Sequence, residues 1–134
     1  MRFAAASAFL LTACAAGAEA ESIAVPEPPT GANLVLEGNI ESAPEHYLVM
    51  GDLVLGAGAT VPRHIHSGEE FLYVLGGSAT LYRDGMPDLV LKAGGGVRIA
   101  PGLPHSAIAG PDGLRAVASW IVANGKPLRE PAPE

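Results

Sequence analysis

Gly58-Ala59-Thr60-Val61-Pro62-Arg63-His64-Ile65-His66-Ser67-Gly68-Glu69-Glu70-Phe71-Leu72-Tyr73-Val74-Leu75-Gly76-Gly77 is the stretch that decides the fold of this chain. Residues 60–66 read as a strand. Side chains alternate faces along a strand, so His64 and His66 point the same way, one pleat apart. Two imidazoles placed like that can reach one ion at about 2.0–2.2 Å. Gly68 permits a bend, and residues 70–75 read as the next strand. Within it Glu70, Leu72 and Val74 share a face that suits a barrel interior, which makes Glu70 rather than Glu69 the better inward carboxylate. The opposite face, Phe71, Tyr73 and Leu75, is apolar as well, so parity alone leaves the choice open.

Outward from this stretch the pattern repeats. Short runs rich in Val, Leu and Ile are broken by Gly, Asp and Pro, giving strands near 34–37, 47–55, 60–66, 70–75, 78–83, 88–92, 96–100, 105–109 and 114–122. Asp84-Gly85 and Pro111-Asp112-Gly113 supply turn chemistry, because Gly tolerates positive φ and Pro presets φ. No helix-length window carries apolar residues at i, i+3, i+4 and i+7 between caps. Many short strands at regular spacing mean an all-β sandwich or barrel. Residues 21–33, with Pro26, Pro28, Pro29 and Gly31, read as an extended lead-in. The barrel then occupies 34–123, and the tail 124–134, with Gly125, Pro127, Pro131 and Pro133, reads as irregular.

A second context carries the third histidine of interest. Val97-Arg98-Ile99-Ala100-Pro101-Gly102-Leu103-Pro104-His105 ends one strand in a Pro/Gly turn and delivers His105 at the start of the next. His46, beside Pro44 and Glu45, has no partner at ligand spacing and reads as an ordinary surface or core histidine.

The 134 residues leave room for one domain. A formal charge of −6, with eight scattered Lys and Arg, excludes the phosphate stripe that nucleic acid needs and any polybasic membrane patch. At the N-terminus Arg2, the apolar run from Phe3 to Leu11 and Ala18-Glu19-Ala20 have the order of a secretory signal cut after Ala20. The run is too short for a transmembrane helix, which needs about 20 residues. Leu11-Thr12-Ala13-Cys14 also resembles a bacterial lipobox, in which Cys14, the sole cysteine, becomes a lipidated first residue. Both readings place the protein outside the cytosol, as a periplasmic, secreted or lipid-anchored chain. A cut after Ala20 leaves no cysteine, so disulfides play no part in stability.

These residues resemble the cupins. Their first motif, G(X)5HXH(X)3,4E(X)6G, is met at every fixed position by Gly58, His64, His66, Glu70 and Gly77. The second, G(X)5PXG(X)2H(X)3N, is met by Gly94, Gly102 and His105, with Ala100 in place of its proline and Ala109 in place of its asparagine. Gly94-Gly95 also stands where a Gly-Asp turn is usual. These departures remove no ligand but touch the geometry of the second turn. Gly68-Glu69-Glu70, Tyr73-Val74-Leu75 and Gly125-Lys126-Pro127-Leu128 look like the small single-domain cupins grouped with quercetin dioxygenases.

The resemblance implies a double-stranded β-helix, a jelly-roll barrel of two antiparallel sheets with a metal inside one open end. It implies His64, His66, Glu70 and His105 as the ligands, and a homodimer as the common assembly. Three neutral imidazoles and a carboxylate suit a divalent Fe, Mn, Ni, Cu or Zn ion better than Ca or Mg. The expected function is a dioxygenase-like oxidoreductase acting on a small oxygenated organic compound, with Glu70 as the catalytic group that takes or hydrogen-bonds a substrate proton. A non-catalytic metal or small-molecule binding protein of the cell envelope, and a metal-dependent isomerase or lyase, are the alternatives. Tyr47, Phe71, Tyr73, Tyr82 and Trp120, the aromatics beyond the signal, read as core or interface packing. So thin an aromatic wall argues against a flat flavonoid substrate.

Overall fold

The computed structural model describes residues 25–134, so the readings of residues 1–20 and of Cys14 lie outside the described residues. Eight strands run in chain order: β1 (Gly31–Asn39), β2 (His46–Leu55), β3 (Thr60–Ile65), β4 (Glu70–Arg83), β5 (Leu89–Lys92), β6 (Gly96–Ile99), β7 (His105–Ala123) and β8 (Glu130–Pro131). There is no helix among the described residues, and every strand pair is antiparallel. The all-β, double-stranded β-helix expectation holds.

Two long strands organise the barrel. The first half of β4, from Glu70 to Gly77, pairs with β6 and with the second half of β7, which in turn pairs with β2, and β2 with β1. The second half of β4, from Ala79 to Arg83, pairs with β5 and with the first half of β7, which in turn pairs with β3, and β3 with β8. Each long strand therefore passes from one sheet into the other.

The sequence divides both long strands in two, with a turn at Pro111-Asp112-Gly113. The structure corrects this: each is a single strand with a bulge at its middle. Gly77 pairs with Leu114 and Ala79 with Ala109, so residues 110–113 form an outward excursion opposite Ser78. Such a bulge bends the strand without ending the pairing on either side. Gly77 sits at this bend with φ +67°, and a Cβ there would collide with the backbone carbonyl of Gly113. Only glycine fits both conditions. The strand that begins the fold starts at Gly31, earlier than the expected 34. The tail, expected to be irregular, contributes β8.

Alternation of side chains sorts the barrel interior from its surface. Along β7, Leu114, Ala116, Ala118, Trp120 and Val122 are buried. Along β4, Glu70 and Val74 are buried while Phe71, Tyr73 and Leu75 are 46%, 53% and 44% exposed. The aromatic-rich face of β4 is thus the outer one, which removes the ambiguity of parity: Glu70 points inward. One buried cluster centres on Val74, Leu81, Leu91, Ile99 and Leu114, the other on Val49, Ala118, Trp120 and Val122. Burying each such aliphatic side chain contributes about 1.5–3 kcal/mol. At one end Arg115 makes a two-pronged ion pair with Asp52 and also donates to the carbonyls of Val25 and Pro26, tying the lead-in to the barrel.

Candidate metal centre

His64 and His105 face each other directly across the β3–β7 pair. His66 lies one residue beyond the end of β3, and Glu70 opens β4 opposite Ile99 and Trp120. Backbone bonds set the spacing between these elements. The Gly102 N–H donates to the His66 carbonyl at 2.9 Å, joining the turn before His105 to the end of β3. The Ile121 N–H donates to the Glu69 carbonyl at 2.9 Å, and the Ala123 N–H to Ser67 Oγ at 3.0 Å. This loop lies so close to β7 that a Cβ at Gly68 would collide with the Ile121 carbonyl. The bend read from Gly68 is real, and its reason is close approach to a neighbouring strand.

All four sequence-derived residues come together. His64, His66, Glu70 and His105 are between 4% and 8% exposed, and one donor atom from each lies within 4.8 Å of all the others. His64 Nε2 is 3.1 Å from His66 Nε2, and Glu70 Oε2 is 3.2 Å from His66 Nε2 and 3.3 Å from His105 Nε2. Two ligands at right angles on one ion at about 2.1 Å stand about 3.0 Å apart. The observed separations match that spacing. His46, at the start of β2 opposite Ala123, is not part of the group.

The hydrogen bonds of the rings say which nitrogens face the centre. Nδ1 of His64 lies 2.7 Å from the Pro62 carbonyl, Nδ1 of His66 2.5 Å from that of Leu128, and Nδ1 of His105 2.8 Å from that of Leu103. A carbonyl oxygen only accepts, so each Nδ1 is the donor and each neutral ring turns an Nε2 lone pair inward. The rings of His64 and His66 then oppose two acceptors, and His105 Nε2 is buried with no hydrogen-bond partner at all. Buried lone pairs without a donor are costly. A divalent cation among them satisfies all three at once, and a carbonyl holding the outer nitrogen is the usual support for a metal-bound imidazole. The residues therefore fit a metal ion.

Electrostatics agree with a charged acceptor set. Burial acts to raise the Glu70 carboxyl, but the His105 and His66 imidazoles beside it prevail and hold it at about 2, below its ordinary 4.5. Burial lowers the His105 imidazole, yet Glu70 and the Leu103 carbonyl outweigh that and raise it above 6.5. The Glu70–His105 contact, 3.3 Å between Oε2 and Nε2, favours the charged form of both groups. His64 has the opposite balance. Burial lowers its imidazole below 6.5 against the pull of the Pro62 carbonyl, with His105 and His66 adding repulsion.

The four donors open onto a cavity of about 550 Å³ inside the barrel. Its wall is chiefly aliphatic, with Leu53, Leu72, Leu81, Val97, Ile99 and Leu114 among its members. Trp120 also lines it, its ring centroid 6.1 Å from that of His66. So do Leu128 and Arg129 from the tail. These three escape the sequence reading. Inward parity along 114–122 was the available signal for Trp120, whereas nothing in the tail's composition announces contact with the site. Arg63 and Tyr73 face away from it, Arg63 in an ion pair with Asp84.

The cupin domain model matches residues 51–122, a span that contains all four donors. Among solved structures, the chain is similar to an uncharacterized conserved protein with a double-stranded β-helix domain from Klebsiella pneumoniae, at 21% identity and a TM-score of 0.59, covering 85% of this chain and 100% of that one. It is similar to a cupin-like protein from Thermotoga maritima, at 25% identity and a TM-score of 0.55, covering 75% and 76%. It is also similar to a DMSP lyase from Ruegeria pomeroyi, at 26% identity and a TM-score of 0.51, covering 64% of this chain but only 41% of the lyase. None of the curated proteins compared by sequence matches the chain. Motif, fold and donor geometry lead to one conclusion: this chain belongs to the cupin domain family.

Proposed function

We propose that this protein is an exported metal-dependent oxidoreductase of the dioxygenase type, acting on a small oxygenated compound with a largely apolar body. One observation carries the reading. The cavity holds a complete donor set, yet no carboxylate, imidazole, thiol, phenol or amine other than the four donors lines it among the described residues. A reaction needing a separate general base finds none there. A reaction in which substrate and oxygen meet at the ion needs none.

His64, His66, Glu70 and His105 would hold the ion. When bound, a redox-active divalent ion supplies Lewis acidity towards a substrate oxygen and electron transfer to dioxygen. The chain's own residues do the rest. The aliphatic wall excludes water and accepts the hydrocarbon part of the substrate. Among the described residues Arg129 is the only Lys or Arg on the lining, and it suits an anionic group on the substrate. Glu70, held at about 2, remains a carboxylate at any ordinary pH and can accept a hydrogen bond from a substrate hydroxyl.

A second reading, a metal-dependent lyase, is favoured by the 26% identity to the DMSP lyase. It would require Glu70 to remove a carbon-bound proton, for which so weak a base is poorly matched. The test is oxygen uptake by metal-loaded protein supplied with small enols and 2-hydroxy acids. Consumption of oxygen in step with substrate supports the oxidoreductase. Turnover that continues without oxygen overturns it in favour of the lyase. Metal at one ion per chain with no turnover of either kind overturns it in favour of a binding protein.

Export rests on the signal-like order of residues 1–20. Intact mass of protein recovered from its native envelope separates a diacylated chain starting at Cys14 from an unmodified one starting at Glu21. A full-length cytosolic chain would refute export.

A further inference from the structure

Of the three imidazoles, two are oriented by acceptors two residues away in the chain and one is not. His64 donates to Pro62 and His105 to Leu103, each acceptor two residues earlier in the chain. His66 donates to the carbonyl of Leu128, 62 residues away. The orientation of one metal donor therefore depends on a segment outside both motifs and outside the span matched by the family model, residues 51–122.

That segment is fastened at both ends. After β7 the chain turns at Asn124-Gly125, where the Asn124 N–H donates to the Glu45 carbonyl at 2.9 Å and its side chain to that of Pro44 at 3.0 Å. Leu128 packs against the cluster of Val49, Ala118, Trp120 and Val122. Farther on, Glu130 and Pro131 pair with Ile65 and His64 of β3. Arg63 Nη1 then donates to the Pro133 carbonyl at 2.7 Å. Leu128 and Arg129, between the two fastenings, line the cavity.

We propose that the strap Lys126–Pro133 is a positioning element of the metal centre: through the Leu128 carbonyl it fixes the tautomer and rotamer of His66, while the same residues complete the wall of the substrate cavity. This rests on the reading of the four donors as metal ligands. An imidazole whose outer nitrogen loses its acceptor can rotate, or move its proton to the inner nitrogen, and either change removes a lone pair from the centre.

The test compares the full chain with one cut after Lys126 and with the full-length double variant Arg63→Ala/Leu128→Ala, which loosens the strap without removing it. Zn(II) affinity is measured by chelator competition, Co(II) absorption reports coordination, and imidazole ¹⁵N–¹H spectra of the metal-free chain report the His66 Nδ1–H. Zn(II) binding is expected to weaken by about 10–100-fold in the cut chain. Its Co(II) spectrum should change, and a synthetic peptide of residues 127–134 should restore both. The double variant should show a smaller loss and faster solvent exchange of the His66 ring proton, with those of His64 and His105 unaffected. A folded cut chain with unchanged affinity and spectrum overturns the proposal. If the cut chain does not fold, unchanged Zn(II) affinity and His66 exchange in the double variant overturn it instead. Failure of the full chain to bind Zn(II) would count against the ligand assignment, and the His66 ring proton would still decide the role of the strap.

Discussion

The two motif stretches reach the same centre by different means. In the first, from Gly58 to Gly77, every fixed position of the cupin pattern is present, and His64 and Glu70 are both buried while Phe71, Tyr73 and Leu75 face out. In the second, from Gly94 to Ala109, the proline and the asparagine of the pattern are both alanine. Yet His105 still stands in register with His64. The turn before it closes through the Leu103 N–H on the Ala100 carbonyl at 3.2 Å, with Gly102 at φ +68°. At the asparagine position Ala109 is buried, its N–H donating to the Ala59 carbonyl at 2.9 Å. The difference teaches that a ligand can be carried by backbone bonds when the motif's side chains are gone.

The comparison breaks first at the donors themselves. His66→Ala should reduce bound metal from about one ion per chain to a small fraction of that, and His46→Ala should leave it unchanged, as read by elemental analysis. Equal loss in both variants would sink the assignment of the donors.

Stability separates the stretches next. Gly77→Ala meets both positive φ and the Gly113 carbonyl, whereas a Cβ at Gly102 meets nothing within 4 Å. Gly102→Ala should therefore cost only the left-handed penalty of about 1–2 kcal/mol, and Gly77→Ala clearly more, in denaturant unfolding of the metal-free protein. The reverse order would mean that the bend between the sheets is softer than its packing indicates.

Proton competition sharpens the contrast further. In the metal-free chain His105, raised by Glu70, should take its proton above pH 6.5, and His64, lowered by burial, only below it. NMR titration of the two rings checks this order. The sign for stability follows. The contribution of His105 is fully present below pH 6.5 and is lost as pH rises through its folded-state value, while the burial of neutral His64 becomes a liability as pH falls below 6.5. Glu70 contributes above pH 4.5 and loses its effect as pH falls towards about 2. Metal affinity should accordingly decline as pH drops through neutrality, with His105 contested before His64.

The smallest effect should come from restoring the missing proline. Ala100→Pro follows Ile99, the last residue of β6, whose extended backbone is what a residue before proline prefers. It should raise stability by about 0.4–1 kcal/mol in thermal unfolding and leave metal affinity alone. A loss of affinity would show that the second turn depends on the geometry that alanine permits.

Most of the centre could be read from the residues because its signals are local. The spacing of His64 and His66 needs only the alternation of an extended chain, and the Pro/Gly turn before His105 needs only turn chemistry. What stayed hidden is non-local. Periodicity around Pro111-Asp112-Gly113 looks the same whether the chain turns back or bulges and continues, since the deciding bonds come from β4. Likewise the proline-rich tail gives no sign that one of its carbonyls serves a histidine 62 residues earlier. Glu70 was separable from the apolar outer face of β4 only once its neighbours had been placed.

The passage of β4 and β7 through both sheets also bears on how the molecule comes apart. Neither sheet possesses a strand set it could keep if the other melted, so the barrel has no internal seam along which half could survive. Heating should therefore abolish the histidine cluster and the apolar cavity in the same transition, with no warm, partly opened species that still grips its ion.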